Sequence, residues 1–271
     1  MPETTPDVLR SERVLPEVHL LTLNRPDQLN AMCAALCESL HVELESLALD
    51  RSCRAIVITG AGRGFCAGLD LHGYGDAPGA NGTDETRDRL VSQTHMSRLI
   101  LRLRATPQPV IAAVNGPAAG FGLALALGSD IRYAAKSAVF RVIFVNIGVS
   151  NCDMGVSWLL PRLIGASRSH ELMLTGRRVG ADEAERIGLV ADVVEDGRAV
   201  DRALEAAREI AAWAPWGIRL TKQGMWSALE IPGEQAAVEY EDRQQIMATT
   251  GIAPNEAVKA FLEKRAATFL D

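Results

Sequence analysis

The chain has 271 residues, 48% of them apolar, and a formal net charge of −6. This length and composition predict one large buried core, with no compositional break between two globular halves. The negative charge argues against a nucleic-acid partner or an anionic membrane surface, and no stretch approaches the roughly 20 apolar residues needed for membrane insertion. Five scattered cysteines and an acidic first segment without an apolar run indicate reduced thiols and no secretory signal, so we expect a cytoplasmic protein.

Strands and helices alternate from about Val14 to Val194, which predicts a mainly parallel sheet with helices outside it. Within this part, residues 54–71 (RAIVITGAGRGFCAGLDL) and 109–130 (PVIAAVNGPAAGFGLALALGSD) share one pattern. Each is predicted to form a buried strand, a glycine-rich bend and an apolar helix. Such bends turn sharply and present backbone N–H groups to a ligand. Two N–H groups aimed at one point, one of them at a helix N-terminus, would stabilise negative charge developing on an oxygen atom.

Other motifs do not fit these bends. After Gly60 and Gly62, Phe65 stands where the dinucleotide fingerprint has its third glycine, and neither bend is followed by the GK[ST] of a P-loop. The chain has no G-x-S-x-G motif, and its histidines lie in no catalytic motif. Cys33 and Cys37 are spaced i, i+4 on a predicted helix, but no matching histidine or cysteine pair accompanies them, so no metal site is expected.

After Val200 the pattern is helical only. Apolar residues at spacings of three and four predict helices over residues 201–214, 233–249 and 254–268. The stretch 73–88 (GYGDAPGANGTDETRD) lacks periodicity and is predicted to be a loop, either a mobile flap beside a ligand pocket or an inert surface loop.

Five segments carry a more specific pattern. They are LTLNRPDQLNAM (21–32), FCAGLDL (65–71), VNGPAAGFGLALALGSDIR (114–132), LTGRRVGADEAERIGLVADVV (174–194) and AFLEKRAATF (260–269). In sequence, order and spacing they resemble the crotonase (enoyl-CoA hydratase/isomerase) superfamily over nearly the whole chain.

The resemblance implies an α/β fold, the ClpP-like crotonase spiral of ββα repeats with a C-terminal helical trimerisation region. Residues 1–200 would form the acyl-CoA-binding spiral core and residues 201–271 the helical oligomerisation region. The implied assembly is a homotrimer or a dimer of trimers. The implied ligand is an acyl-CoA thioester from fatty-acid metabolism, with no cofactor beyond the coenzyme A of the substrate.

The resemblance also implies roles for individual residues. The backbone N–H groups of Leu69 and Phe121 correspond to the two donors of the family's oxyanion hole. Phe121 stands where the family usually has glycine. Its side chain adds bulk, and a phenylalanine backbone does not easily adopt a positive φ. The implied coenzyme A contacts are Ala67 beside the adenine, Asp70, Leu71 and His72 along its path, Arg25 near the phosphates, and Phe261 and Lys264 reaching a neighbouring subunit's ligand.

Two departures limit the function that can be carried over. A family hydratase uses two glutamates, because adding water to a double bond needs both a base and an acid. The corresponding positions here are Ala124 and Phe144. Neither side chain can accept a proton, so two-glutamate hydration is not expected.

One acid, Asp153, resembles an aspartate used by dienoyl-CoA isomerases of the family. It lies in GVSNCDMGVSWLLPRLIG and precedes an apolar run, so a helix N-cap is an alternative interpretation. Three functions remain open: a double-bond isomerase using Asp153, an acyl-CoA-binding protein without turnover, and another family reaction such as thioester hydrolysis or decarboxylation.

Overall fold

The computed structural model describes residues 7–250 and 253–269. The strands in chain order are β1 (Leu9–Leu15), β2 (Val18–Leu23), β3 (Ala55–Gly60), β4 (Val110–Val114), β5 (Ala118–Ala119), β6 (Ile131–Ala135), β7 (Val139–Arg141), β8 (Val179–Gly180) and β9 (Asp192–Val194). The helices are α1 (Ala34–Leu49), α2 (Glu85–Ala105), α3 (Phe121–Gly128), α4 (Val156–Ile164), α5 (Ala166–Thr175), α6 (Ala181–Arg186), α7 (Ala199–Ala211), α8 (Pro215–Ala228), α9 (Glu234–Thr249) and α10 (Ala253–Leu262), with 3₁₀ turns at Pro26–Gln28 and Phe144–Ile147.

Two sheets organise the fold. The larger has the order β1-β2-β3-β4-β6-β9, and the smaller has the order β5-β7-β8. In the larger sheet only β1 and β2 pair antiparallel; the pairs from β2 to β9 are parallel. The predicted mainly parallel α/β architecture is therefore confirmed.

Both faces of the central strands β3 and β4 are covered, which explains why these strands are almost entirely apolar. Ile56 and Ile58 of β3 point into a core shared with α1, α2 and α3. Ala55 and Val57 point to the opposite face, where α7 packs. A strand buried on both sides favours apolar residues, and β3 has no exposed residue; its one hydroxyl, on Thr59, donates to the Ala113 carbonyl at 2.9 Å.

The first glycine-rich bend differs from the prediction. No helix follows it directly, because Cys66 and Leu69 form isolated bridges with Ala118 and Met32 and hold the segment extended. The next helix, α2, begins only at Glu85, within the stretch predicted to be a loop. Its N-cap Asp84 accepts a hydrogen bond from the Arg87 N–H at 3.0 Å.

The C-terminal helices also differ from the predicted ranges. The helices predicted over 201–214, 233–249 and 254–268 are found as α7, α9 and α10 with shifted ends, and α8 was not predicted. α7 packs on β3 and β4, so the first helix after residue 200 belongs to the packed core. The role of residues 201–271 in subunit contacts remains a prediction. Across the described ranges, none of the helices combines the length and apolar character needed to cross a membrane.

Candidate active site

The two glycine-rich segments lie against each other at the ends of β3 and β4. The Cys66 N–H donates to the Pro117 carbonyl at 3.1 Å, and the Ala119 N–H donates to the Cys66 carbonyl at 3.0 Å. This approach requires glycine at position 122, because a Cβ there would lie 2.1 Å from the Cys66 oxygen. The close packing therefore depends on a residue without a side chain.

Leu69 and Phe121 lie on facing sides of this junction. On one edge of the first segment, the Gly68 carbonyl and the Asp70 N–H bind the backbone of Met32 at 2.7 and 2.9 Å. The backbone N–H and carbonyl groups of Leu69 therefore face the other edge of this segment. A Cβ built on Gly68 would lie 3.9 Å from the nitrogen of Phe121, the first residue of α3.

Neither N–H is used by the fold. Within the part of the chain that the structure describes, the N–H groups of Leu69 and Phe121 donate no hydrogen bond. Phe121 is fully buried, and its N–H belongs to the open first turn of a helix, where the dipole favours negative charge. Two free donors on neighbouring segments are what an oxyanion site needs.

The wall beside these donors is apolar. Ala124 lies one turn into α3 and is fully buried. Phe144 is also buried, and its ring lies 3.5 Å from a Cβ built on Gly120, next to Phe121. Neither residue places a proton-accepting group at this wall.

Asp153 is held by a partner that the sequence did not reveal. Its Oδ1 accepts from the Gln93 side-chain amide at 2.5 Å and from the Met154 N–H at 2.7 Å. Helix α4 begins at Val156 with Gly155 as its N-cap, which makes no side-chain capping bond. The helix-cap interpretation of Asp153 is therefore wrong. Oδ2 of Asp153 accepts no hydrogen bond from any described residue.

Comparison with known proteins agrees with this architecture. Residues 16–271 match the family model described as "Enoyl-CoA hydratase/isomerase". The chain belongs to the enoyl-CoA hydratase/isomerase family. This confirms the resemblance to the crotonase superfamily and its fold.

The relatives include proteins named as hydratases and as isomerases. The chain is 42% identical over 269 residues to the probable enoyl-CoA hydratase EchA12 of Mycobacterium tuberculosis, covering 99% of this chain and 94% of that protein. It is 39% identical over 253 residues to 1,2-epoxyphenylacetyl-CoA isomerase of Escherichia coli, covering 93% and 94%. A probable enoyl-CoA hydratase/isomerase structure from Mycobacterium abscessus matches with a TM-score of 0.91 at 40% identity, covering 97% and 98%. A monofunctional enoyl CoA isomerase from M. smegmatis matches with a TM-score of 0.72 at 39% identity, covering 85% and 98%.

The residues predicted to contact coenzyme A form two groups in this structure. Arg25, Asp70 and a short stretch around Tyr74 line one cleft of about 520 Å³. The Arg25 guanidinium pairs with Asp70 Oδ2 at 2.8 Å, and this hydrogen bond lowers the pKa of the Asp70 carboxyl. The His72 N–H donates to Asp70 Oδ1 at 3.0 Å, while the His72 ring is 98% exposed. Leu71 is exposed as well, and the Ala67 N–H donates to Leu29.

The second group lies at the other end of the chain. Phe261, on α10, is 81% exposed, and Lys264 follows the helix with a φ of 53°. α10 packs on α9, and the described contacts do not bring either residue to the cleft or to Leu69 and Phe121. Their contact with a neighbouring subunit's ligand remains a prediction.

Proposed function

We propose that this chain is an acyl-CoA enzyme that stabilises a thioester enolate and moves a double bond, with Asp153 as its single proton carrier. The observation that carries the proposal is that the N–H groups of Leu69 and Phe121 have no hydrogen-bond partner among the described residues and lie beside Ala124 and Phe144, which carry no carboxylate.

The first step is polarisation of the thioester. Its carbonyl oxygen would accept hydrogen bonds from the N–H groups of Leu69 and Phe121. These bonds strengthen as negative charge moves onto the oxygen, and mutagenesis of such donors elsewhere gives about 3 to 4 kcal/mol per donor. This stabilisation favours removal of the proton on the carbon next to the thioester.

The second step is transfer of that proton. Because Ala124 and Phe144 cannot carry protons, we assign the roles of base and acid to one group acting twice. Asp153 would take the proton from the α-carbon of a 3-enoyl thioester, giving a dienolate, and return it to the γ-carbon, giving the 2-enoyl product. The Gln93 bond fixes Oδ1 and leaves Oδ2 available for the proton. A net isomerisation needs no water, which distinguishes it from hydration.

Binding of the coenzyme A part would use both ends of the chain. The adenine would lie by Ala67, with Asp70 to His72 and Arg25 near its path. Phe261 and Lys264 would come from a neighbouring subunit of a homotrimer or a dimer of trimers. We place the reaction in cytoplasmic fatty-acid metabolism. The relatives carry names of both kinds, so the choice of isomerisation over hydration rests on Ala124, Phe144 and Asp153.

Product analysis with a panel of 2-enoyl-, 3-enoyl- and saturated acyl-CoA esters tests the proposal. We expect conversion of 3-enoyl to 2-enoyl esters and hydration of crotonyl-CoA slower than a two-glutamate hydratase by several powers of ten, since each acid–base group contributes about 10²–10⁴. Ala124→Glu combined with Phe144→Glu should raise the hydration rate. Efficient hydration by the unmodified protein would contradict the proposal, free coenzyme A as a product would indicate hydrolysis, and binding without any product would indicate a carrier or sensor.

A further inference from the structure

A cluster of one cysteine and two histidines lies between α1 and α2. Cys37 and His41 are four residues apart on one face of α1, and His95 comes from α2. One ligand atom from each of these residues lies within 4.8 Å of the other two. Along the sequence, no histidine pair at metal-ligand spacing accompanies Cys33 and Cys37. The fold supplies one for Cys37.

The hydrogen bonds of the two histidines show which ring nitrogen of each carries the hydrogen, and in both rings Nδ1 is the one with a lone pair. His95 Nε2 lies 2.9 Å from Glu38 Oε2, and since a carboxylate only accepts, Nε2 carries the hydrogen. His95 Nδ1 then has a lone pair, which accepts from the Tyr74 hydroxyl at 2.7 Å. His41 Nε2 lies 2.9 Å from the His95 carbonyl, so it also carries the hydrogen and leaves its Nδ1 lone pair unshared.

We propose that Cys37, His41 and His95 bind a Zn²⁺ ion. Among the divalent metals found in proteins, zinc is the one most often bound by cysteine sulfur together with imidazole nitrogen. Zn–S and Zn–N distances of about 2.3 and 2.0–2.1 Å place tetrahedral ligand atoms roughly 3.3–3.6 Å apart. Each distance between two ligand atoms would therefore have to shorten by at most about 1.5 Å, which side-chain rotation can supply.

The surroundings of the cluster match those of known zinc sites. The Glu38 carboxylate on the outer nitrogen of His95 is the arrangement that commonly orients a zinc-bound histidine. Cys37 is buried and both histidines are half-buried, so a bound ion would be largely shielded from bulk water.

An ion can reach the cluster from solvent. His41, His95 and Glu38 line a surface cleft of about 580 Å³ between the two helices. Besides Glu38, the charged residues that line the cleft are Glu45, Arg98 and Arg102, and Arg102 pairs with Glu45 at 3.0 Å. A water molecule from this cleft would complete a four-coordinate ion. Bound zinc would tie α1 to α2, and its bond to His95 Nδ1 would displace the Tyr74 hydroxyl from that atom.

Zinc affinity of the untagged full-length protein tests the site, measured by competition with a chromophoric chelator under reducing conditions. We expect one ion per chain, and with Co²⁺ in its place the near-ultraviolet thiolate-to-metal absorption of a Cys ligand. Cys37→Ser, His41→Gln and His95→Gln should each weaken zinc binding by more than about 100-fold, and Glu38→Gln by about 10- to 100-fold as an orienting residue. The matched controls are Cys152→Ser and His170→Gln, because both residues are exposed and lie outside the cluster.

His41 borders the cleft, so His41→Gln provides the decisive variant if the fully buried Cys37 does not tolerate serine. Circular dichroism of each variant confirms that it is folded. Absence of a stoichiometric zinc ion in the wild type overturns the proposal. Binding that Cys37→Ser or His41→Gln reduces no more than the two control variants also overturns it. Neither result depends on thioester chemistry, so the zinc site and the proposed reaction stand or fall separately.

Discussion

Replacing Gly122 by alanine should separate the two segments that present the N–H groups of Leu69 and Phe121. A Cβ at position 122 would lie 2.1 Å from the Cys66 oxygen and 2.8 Å from its carbonyl carbon. Carbon and carbonyl oxygen normally approach to about 3.3 Å, so the segments must move apart by about 1 Å. The backbone of Gly122 is helical and accepts alanine, so the effect comes from space alone.

The magnitudes follow from that displacement. Overpacking of this kind costs about 1–3 kcal/mol, and a shift of about 1 Å in a reacting geometry can lower a rate about 100-fold. Gly224→Ala in α8 is the matched control, because a Cβ there meets no atom within 4 Å. It should leave function intact and stabilise the protein by about 0.4–1 kcal/mol.

Thermal unfolding and the exchange rate of the thioester α-proton in deuterated water measure the two effects. We expect Gly122→Ala to lower the midpoint temperature of unfolding by roughly 2–4 °C for each kcal/mol of lost stability. The exchange rate should fall by about 100-fold, and acyl-CoA affinity should also be reduced. Equal midpoints and equal exchange rates for Gly122→Ala and Gly224→Ala would refute the argument that these segments must touch to form the site.

Three further predictions concern charged side chains. Lys222→Met breaks a buried ion pair with Asp130 of 2.8 Å and should cost about 3–5 kcal/mol in denaturant unfolding; a loss below about 1 kcal/mol would contradict this reading. Arg25→Ala removes the partner that lowers the pKa of Asp70, so its destabilisation relative to wild type should be complete above about pH 4. Below that value it should shrink to the part that comes from the lost hydrogen bond to the Ala31 carbonyl; a constant difference from pH 7 to pH 2 would show that the ion pair is not the cause. Lys264→Ala should weaken acyl-CoA binding about 10- to 100-fold but leave binding of the matching acyl-pantetheine unchanged, since only coenzyme A carries the nucleotide phosphates; equal losses for both ligands would remove Lys264 from the phosphate site.

The strands and bends were predictable because their signals are local. β3 and β4 are short, largely apolar runs with a glycine at the end or two residues beyond it, and such runs have few alternatives to a strand buried on both faces. The prediction of a helix after the first bend was wrong, because residues outside that segment determine its conformation. Residues 66–69 bridge Ala118 and Met32, and pairing with these distant partners keeps the chain extended.

The partners of the site residues were not predictable from the chain. Gln93 and Asp153 are 60 residues apart, and Cys37 and His95 are 58 residues apart, so no spacing pattern links them. Helix α8 was missed because Gly217 and Gly224 weaken its local helical signal. Its stability comes from tertiary contacts, including the ion pair that its Lys222 makes with the core.

Exchange of the α-proton of a 3-enoyl-CoA with deuterated water, compared between wild type and Asp153→Asn, tests the central claim most directly. Asparagine keeps the shape and can still accept from Gln93, but it cannot carry a proton at neutral pH. We predict rapid exchange in the wild type, a loss of at least about 100-fold in Asp153→Asn with acyl-CoA affinity nearly unchanged, and no loss in the surface control Asp182→Asn. Unchanged exchange in Asp153→Asn, or no exchange in the wild type at any acyl chain length, would contradict the account.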